Sequence, residues 1–257
     1  MAYEVFAGVY DACNEDADYD ALAAHLIAQL CDCGIRDGLI ADLGCGTGDL
    51  TLRLAKAGYE MIAVDRSEEM LCVLQDKMAE QETGGILLLQ QDLCELDLYG
   101  TVRAAVSTFD TFNHIGPFPR FCQALARCAL FVEPGGMFLF DLNTPYKQQN
   151  ILADNSYTME DEDIRVVWSN RYDPQRRATD ICLAITYCDD GETYEETFTE
   201  YAYTLQQVYE ACEQAGLEVE SVCDGECFGP LAEDSQRYLI AARKLAERNC
   251  NREYKGV

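Results

Sequence analysis

The stretch Leu39-Ile40-Ala41-Asp42-Leu43-Gly44-Cys45-Gly46-Thr47-Gly48-Asp49-Leu50 joins an apolar run ending in an acid to three alternate glycines, after which a helical pattern begins. This order predicts a strand, a tight turn and a helix N-terminus. The glycines let the backbone take positive φ and come close to a ligand. The amides exposed at the helix start favour a polar or anionic group. Two nucleotide patterns fail here. In the dinucleotide fingerprint G-x-G-x-x-G, Gly44 and Gly46 fit, but Asp49 takes the third place and would face a pyrophosphate with like charge. A P-loop fails because no Gly-Lys-Ser/Thr follows. What remains is D-x-G-x-G-x-G. Its acid, Asp42, repels a phosphate and suits a cationic group such as an amino acid's ammonium.

The neighbouring segments extend this site. Met61-Ile62-Ala63-Val64-Asp65 reads as a second strand ending in an acid about twenty residues after the glycines, where a carboxylate can bind ribose hydroxyls. Ile86-Leu87-Leu88-Leu89 leads to Gln91-Asp92-Leu93, and Asp92 can accept from an exocyclic adenine amine. Together these offer partners for an ammonium, a ribose and an adenine, and none for a phosphate. S-adenosylmethionine has that inventory.

Four motifs now stand in order: Asp42-Leu43-Gly44-Cys45-Gly46-Thr47-Gly48, Asp65-Arg66-Ser67-Glu68-Glu69-Met70-Leu71, Gln91-Asp92-Leu93 and Leu130-Phe131-Val132-Glu133-Pro134-Gly135-Gly136. On these the chain resembles the class I S-adenosylmethionine-dependent methyltransferases. The resemblance spans about half the chain. It implies a doubly wound α/β Rossmann-like sheet of seven strands with S-adenosylmethionine at the strand ends. It gives Asp65 to the ribose, Asp92 and Leu93 to adenine, with Met70 near it, and Gly44, Cys45, Gly46 and Gly48 to the methionine half. Asp42, Arg66 and Thr108 belong to the same cofactor set.

Strands alternate with helices from Gly38 to Asp141, which predicts a mostly parallel sheet. Its strands are Leu39 to Leu43, Met61 to Asp65, Ile86 to Gln90, Ala104 to Thr108 and Met137 to Asp141. Before it, the chain to about Cys33 reads as helical, and His25 within it as a packing or surface residue. After Pro145, Arg165 to Tyr172, Ile181 to Tyr187 and Tyr194 to Tyr203 alternate as strands, predicting three or four antiparallel strands inserted after the fifth strand. A helix at Leu205 to Ala215 and strands at Glu218 to Cys223 and Arg237 to Ala242 then close the sheet. The expected organisation is a cofactor-binding unit of residues 1–145 and 204–246, an insert of 146–203 that lids the acceptor, and a polar tail of 247–257.

The segment after the fourth strand, Val106-Ser107-Thr108-Phe109-Asp110-Thr111-Phe112-Asn113-His114, lies in this family between cofactor and acceptor. The [D/N]-P-P-[Y/F] sequence of DNA and some protein amine methyltransferases is missing there. Asn143-Thr144-Pro145-Tyr146 resembles it only superficially, after the wrong strand. His114 is the candidate catalytic base, since its reference pKa lies near neutral; it can equally bond the loop backbone. Phe109, Asn113, Trp168 and Tyr172 are candidate acceptor contacts, with Tyr187 and Tyr201 as further lining residues. The opening Tyr3-x-x-Phe6-Ala7-x-Val9-Tyr10-Asp11, followed by Tyr19, resembles that of uncharacterised bacterial methyltransferases and of deoxysugar amine N-methyltransferases. There the N-terminal segment caps the cofactor, which places Tyr10 and Tyr19 beside its methionine part.

Composition narrows the partners. The 257 residues include 19 basic and 46 acidic side chains, a net charge of −27. Such a field repels nucleic acid and anionic membranes. A small-molecule acceptor is therefore expected, methylated at N or O. A nucleotide-linked deoxysugar amine, a protein partner, or a regulatory role without transfer are the alternatives. The 14 cysteines fall in core-like segments without paired C-x-x-C spacing, so no metal site is expected. With no secretory signal and no membrane-length apolar run, the expected location is the cytoplasm. The oligomeric state, monomer or homodimer, is left open.

Overall fold

A computed structural model describes residues 5–160, 162–189 and 191–246. Five strands lie parallel: β1 (Leu39–Leu43), β2 (Glu60–Asp65), β3 (Ile86–Gln90), β4 (Val102–Ser107) and β5 (Val132–Asn143). Two more, β10 (Leu217–Asp224) and β11 (Arg237–Lys244), complete a seven-stranded sheet of order β3-β2-β1-β4-β5-β11-β10, with β11 antiparallel to both its neighbours. The order reverses between β1 and β4, so a crevice opens at their carboxyl ends.

Both faces of the central strands β1, β2, β4 and β5 are covered, which is why these strands read as nearly unbroken apolar runs. On one face α2 (Tyr19–Asp32) and α3 (Asp49–Lys56) set Leu22, Leu26, Leu30, Leu50 and Leu54 against Ile40, Met61 and Val106. Leu74 of α4 (Glu68–Glu80) packs on Ala63 of that face. On the other, α5 (Phe118–Leu130) and α6 (Leu205–Gln214) set Phe121, Leu125, Val208 and Ala211 against Ile62, Val64 and Phe138. The helix starts are chemically marked. Ser67 Oγ accepts from the Met70 amide at α4, and Thr204 with Gln207 forms a capping box at α6.

Between β5 and α6 the chain builds a second, antiparallel sheet. It comprises β6 (Ser156–Glu160), β7 (Ile164–Asp173), β8 (Ala178–Tyr187) and β9 (Thr193–Tyr201). Ile164, Val166, Ile181, Leu183 and Ile185 form its apolar face, and Phe6 and Val9 pack on it.

Several expected boundaries move. The N-terminal helix is broken: a 3-10 turn (Phe6–Gly8) and α1 (Tyr10–Cys13) precede α2, whose start is capped by Asp18 accepting from the Ala21 amide. The fifth strand begins at Val132 rather than Met137, so Glu133 to Gly136 lie inside β5. A π-helical turn (Lys147–Leu152) opens the insert. The 247–257 tail and Tyr3 fall outside the described residues.

Candidate functional site

The glycine turn is shaped by close approach. Gly44 has φ +77°, and a Cβ there would overlap the Thr111 side chain; at Gly48, φ +84°, it would overlap Leu74. Asp42, at the end of β1, is 2% exposed and accepts from Thr51 Oγ1 at 2.5 Å. Burial pushes its carboxyl up to about 7, against the Thr51 hydrogen bond that lowers it. Asp65 is aimed by two amides: its Oδ2 accepts from Gly46 N at 3.0 Å and its Oδ1 from Ser67 N at 2.9 Å. Burial raises its carboxyl, and those amides oppose the rise. Asp92 accepts from Cys94 N at 2.8 Å and pairs with Arg120 at 3.1 Å.

Beyond β4 the backbone turns through two consecutive left-handed residues, Phe109 (φ 54°) and Asp110 (φ 55°). Non-glycine residues hold this conformation only where their surroundings impose it. Here Asp141 imposes it, accepting from Phe109 N at 2.8 Å and Asp110 N at 2.7 Å. Arg237, from β11, bonds Asp141 Oδ2 at 2.9 Å and Asp110 Oδ1 at 3.2 Å, and lies 5.6 Å over the Phe109 ring.

This acid corner presents Asp110 to His114. His114 Nε2 lies 3.4 Å from Asp110 Oδ2 and 3.9 Å from Glu200 Oε1. Burial lowers the imidazole pKa, but the Asp110 hydrogen bond and the Glu200 charge raise it further than burial lowers it. Burial also lifts the Asp110 carboxyl; the His114 bond and the Arg237 charge reverse that and hold it well below the usual range. Glu200 goes up, through burial and the Asp110 charge. Its Oε2 accepts from Asn143 Nδ2 at 2.9 Å and Gln148 Nε2 at 2.6 Å. The ligand atoms of Asp110, His114 and Glu200 lie within 4.8 Å of one another, a spacing that could hold a metal ion. Asp110 is already bonded to Arg237, whose fixed charge opposes a further cation there.

One cavity of about 630 Å³ joins the glycine turn to the acid corner. Of the residues expected from sequence, Tyr10, Gly44, Gly46, Asp65, Arg66, Met70, Asp92, Leu93, Phe109, His114 and Trp168 line it. Tyr19, Asp42, Cys45 and Thr108 instead line a small recess that shares Tyr10, Gly44, Gly46, Phe109 and Thr111 with it. Gly48 lines neither and caps α3. Asn113 is fully buried and works as a clamp. Its amide bonds the carbonyls of Asn143 and Tyr201, and its Oδ1 accepts from Asn143 N. Tyr172, Tyr187 and Tyr201 are outside the lining residues. His25 stacks on Phe228. Sequence reading missed Asp110, Asp141, Lys147, Glu200 and Arg237. Glu200 had a signal, since it continues the inward-facing series Glu196-x-Phe198-x-Glu200. Asp141 had one too, as an acid closing a strand like Asp42 and Asp65. Arg237 and Lys147 had none.

The sheet order, the glycine turn after β1 and the acids closing β1 and β2 define a class I methyltransferase. Comparison with known proteins agrees. A methyltransferase-domain family model matches residues 40–136. A putative methyltransferase of Geobacillus sp. (strain WCH70) is 31% identical over 95% of this chain and 100% of its own length. An S-adenosylmethionine-dependent methyltransferase from Clostridium acetobutylicum superposes with TM-score 0.85 at 22% identity, covering 95% of this chain and 99% of that one. An amino pentose methyltransferase from Micromonospora echinaspora, solved with S-adenosylmethionine bound, gives 0.72 at 18% identity, covering 95% and 98%. The chain belongs to the S-adenosylmethionine-dependent methyltransferases.

Proposed function

We propose that this enzyme methylates the nitrogen of a small amine. The observation carrying this reading is His114 set between Asp110 and Glu200 on the wall of the cavity. An acidic wall favours an ammonium, and an imidazole flanked by carboxylates can take its proton and bear the resulting charge. S-adenosylmethionine supplies a methyl group on a sulfonium. The cavity volume of about 630 Å³ is within the range for ligands of this size. Asp65 would hold the ribose, with lone pairs left over after its two amide bonds. Leu93, Met70 and Asp92 would frame the adenine, and the glycine turn would receive the methionine part. Asp110, Glu200 and His114 orient the acceptor, which supplies much of the rate where the nucleophile is already strong.

Organisation follows the same reading. Residues 146–203 form the acceptor-side lid, contributing Trp168, Phe198 and Glu200 to the cavity wall, and residues 1–145 with 204–246 hold the cofactor. A nucleotide-linked sugar amine is favoured by the likeness to the amino pentose methyltransferase. The net charge of −27 counts against its diphosphate, so we place it second. No helix among the described residues is long and apolar enough to cross a membrane.

The test is calorimetric titration with S-adenosylhomocysteine, with NADH as control, followed by mass detection of methyl transfer to matched amines and alcohols. Micromolar binding of S-adenosylhomocysteine, none of NADH, and methylated amines are expected. Tight NADH binding overturns the cofactor assignment. Methylation of alcohols alone overturns the amine. Binding without any product supports a regulatory protein instead.

A further inference from the structure

We infer that the acceptor carries a carboxylate beside its amine, as a small amino acid does, and that Lys147 binds this carboxylate. This rests on the amine reading above. Lys147 opens the π-helical turn after β5 and lines the cavity, half-buried. The other cations of the lining are accounted for. Arg237 bonds Asp110 and Asp141, Arg120 bonds Asp92, and Arg66 is exposed at the rim. The Lys147 ammonium has neither hydrogen bond nor ion pair among the described residues, in a chain with 46 acidic side chains. Withdrawing an ammonium from water without a counterion is costly, so the position calls for an anion from outside.

The nearby carboxylates do not fill that need. Asp110 is engaged by Arg237 and His114, Glu226 by Arg237 at 3.5 Å, and Glu200 by Asn143 and Gln148. They act on Lys147 from beyond contact distance: burial and the Arg237 charge lower its pKa, while Asp110, Glu226 and Glu200 raise it. The backbone of Lys147 is fixed, its amide donating to Thr144 Oγ1 at 3.0 Å.

A second observation points to the other half of the ligand. Asn143 lines the cavity and is 2% exposed. Its Nδ2 donates to Glu200, leaving its buried Oδ1 with no hydrogen-bond partner. A buried acceptor left unmatched calls for a donor, which an amine N–H provides. Asn143 and Lys147 stand one helical turn apart in sequence, at the end of β5 and the start of the turn that follows. One small zwitterion satisfies both. Lys147 is the half-buried lining cation without an ion pair among the described residues, and one such charge in an acidic chain suits one carboxylate rather than a polyanion.

The experiment uses the full chain saturated with S-adenosylhomocysteine for binding, or supplied with S-adenosylmethionine for turnover. The probes are amino acids, each paired with its decarboxylated amine. At least about tenfold better binding or turnover is expected for the carboxylate-bearing member of some pair, as for a hydrogen bond to a charged group. Lys147→Met should abolish that preference with S-adenosylhomocysteine affinity unchanged, and Lys147→Arg should retain most of it. Equal use of decarboxylated amines overturns the inference and leaves the amine reading standing. So does a preference that survives Lys147→Met, or failure of every amino acid to bind at millimolar concentration. Transfer to alcohols alone defeats both readings.

Discussion

At one end of the cavity, Gly46 and Asp65 meet across 19 positions of sequence, and Asp65 and Ser67 across two. At the other, Arg237 reaches Asp110 across 127 positions, and Glu200 reaches His114 from the second sheet. The glycine-turn end is made of backbone amides and the carboxylates of Asp42 and Asp65, all set by a single β-turn-α unit and the strand beside it. The acid corner is made of side-chain charges from β5, β9, β11 and the loop after β4. A local unit keeps its geometry through its own hydrogen bonds. A corner of buried charges keeps its geometry only while every charge is matched.

Removing one charge from the corner should therefore have the largest effect. Arg237→Met leaves Asp110 and Asp141 buried without their cation, and should lower stability by about 3–5 kcal/mol in urea unfolding. A loss under about 1 kcal/mol would show that the corner does not depend on it. Next is His114→Asn. It should reduce kcat by about 100-fold and leave S-adenosylhomocysteine affinity unchanged, separating the two ends functionally. Because the His114 pKa is raised, the wild-type rate should climb as pH passes through an apparent pKa above the usual histidine value, and the variant should lose that climb.

At the glycine-turn end, Asp65→Ala should fold and bind S-adenosylhomocysteine at least tenfold more weakly, about 1.4 kcal/mol or more. Unchanged affinity would remove Asp65 from the site. Asp42 offers a subtler contrast. Its folded pKa of about 7 lies above an ordinary aspartate's, so the folded state holds a proton that the unfolded state gives up. Its contribution thus favours folding at low pH and fades as pH rises from about 4 to about 7. Asp42→Asn should flatten the stability slope in that window by up to about 1.4 kcal/mol per pH unit. The smallest effect belongs to the exposed Arg53–Asp20 pair at 2.6 Å. Asp20→Asn should change stability by less than about 0.5 kcal/mol.

The same contrast explains what could be read from the sequence. The parallel strands were legible because burial on both faces leaves apolar runs, and the glycine turn because its residues are contiguous. β6 was not legible, since four of its five residues are exposed and no apolar alternation marks it. The break before α2 has a mark in the sequence, its cap Asp18, but the spacing of Leu22, Leu26 and Leu30 alone predicts a continuous helix. For Asn113, its place after β4 says which loop it is on, not which way its amide points, and the fold turns that amide onto the Asn143 and Tyr201 carbonyls. Arg237 could not be found at all. Its partners are acids on other strands, and only the folded register of β11 against β5, Arg237 opposite Asn143, brings them together.

That register sets an order of events during synthesis. β5 and β10 leave the ribosome before β11, yet β11 lies between them in the sheet. Phe109 and Asp110 are thus made long before Arg237 can bond the carboxylate that holds their amides. The glycine turn can form early, while the corner beside His114 is assembled only when a late strand slots into an interior position. A nascent chain halted before β11 would carry the turn complete and the acid corner unmatched.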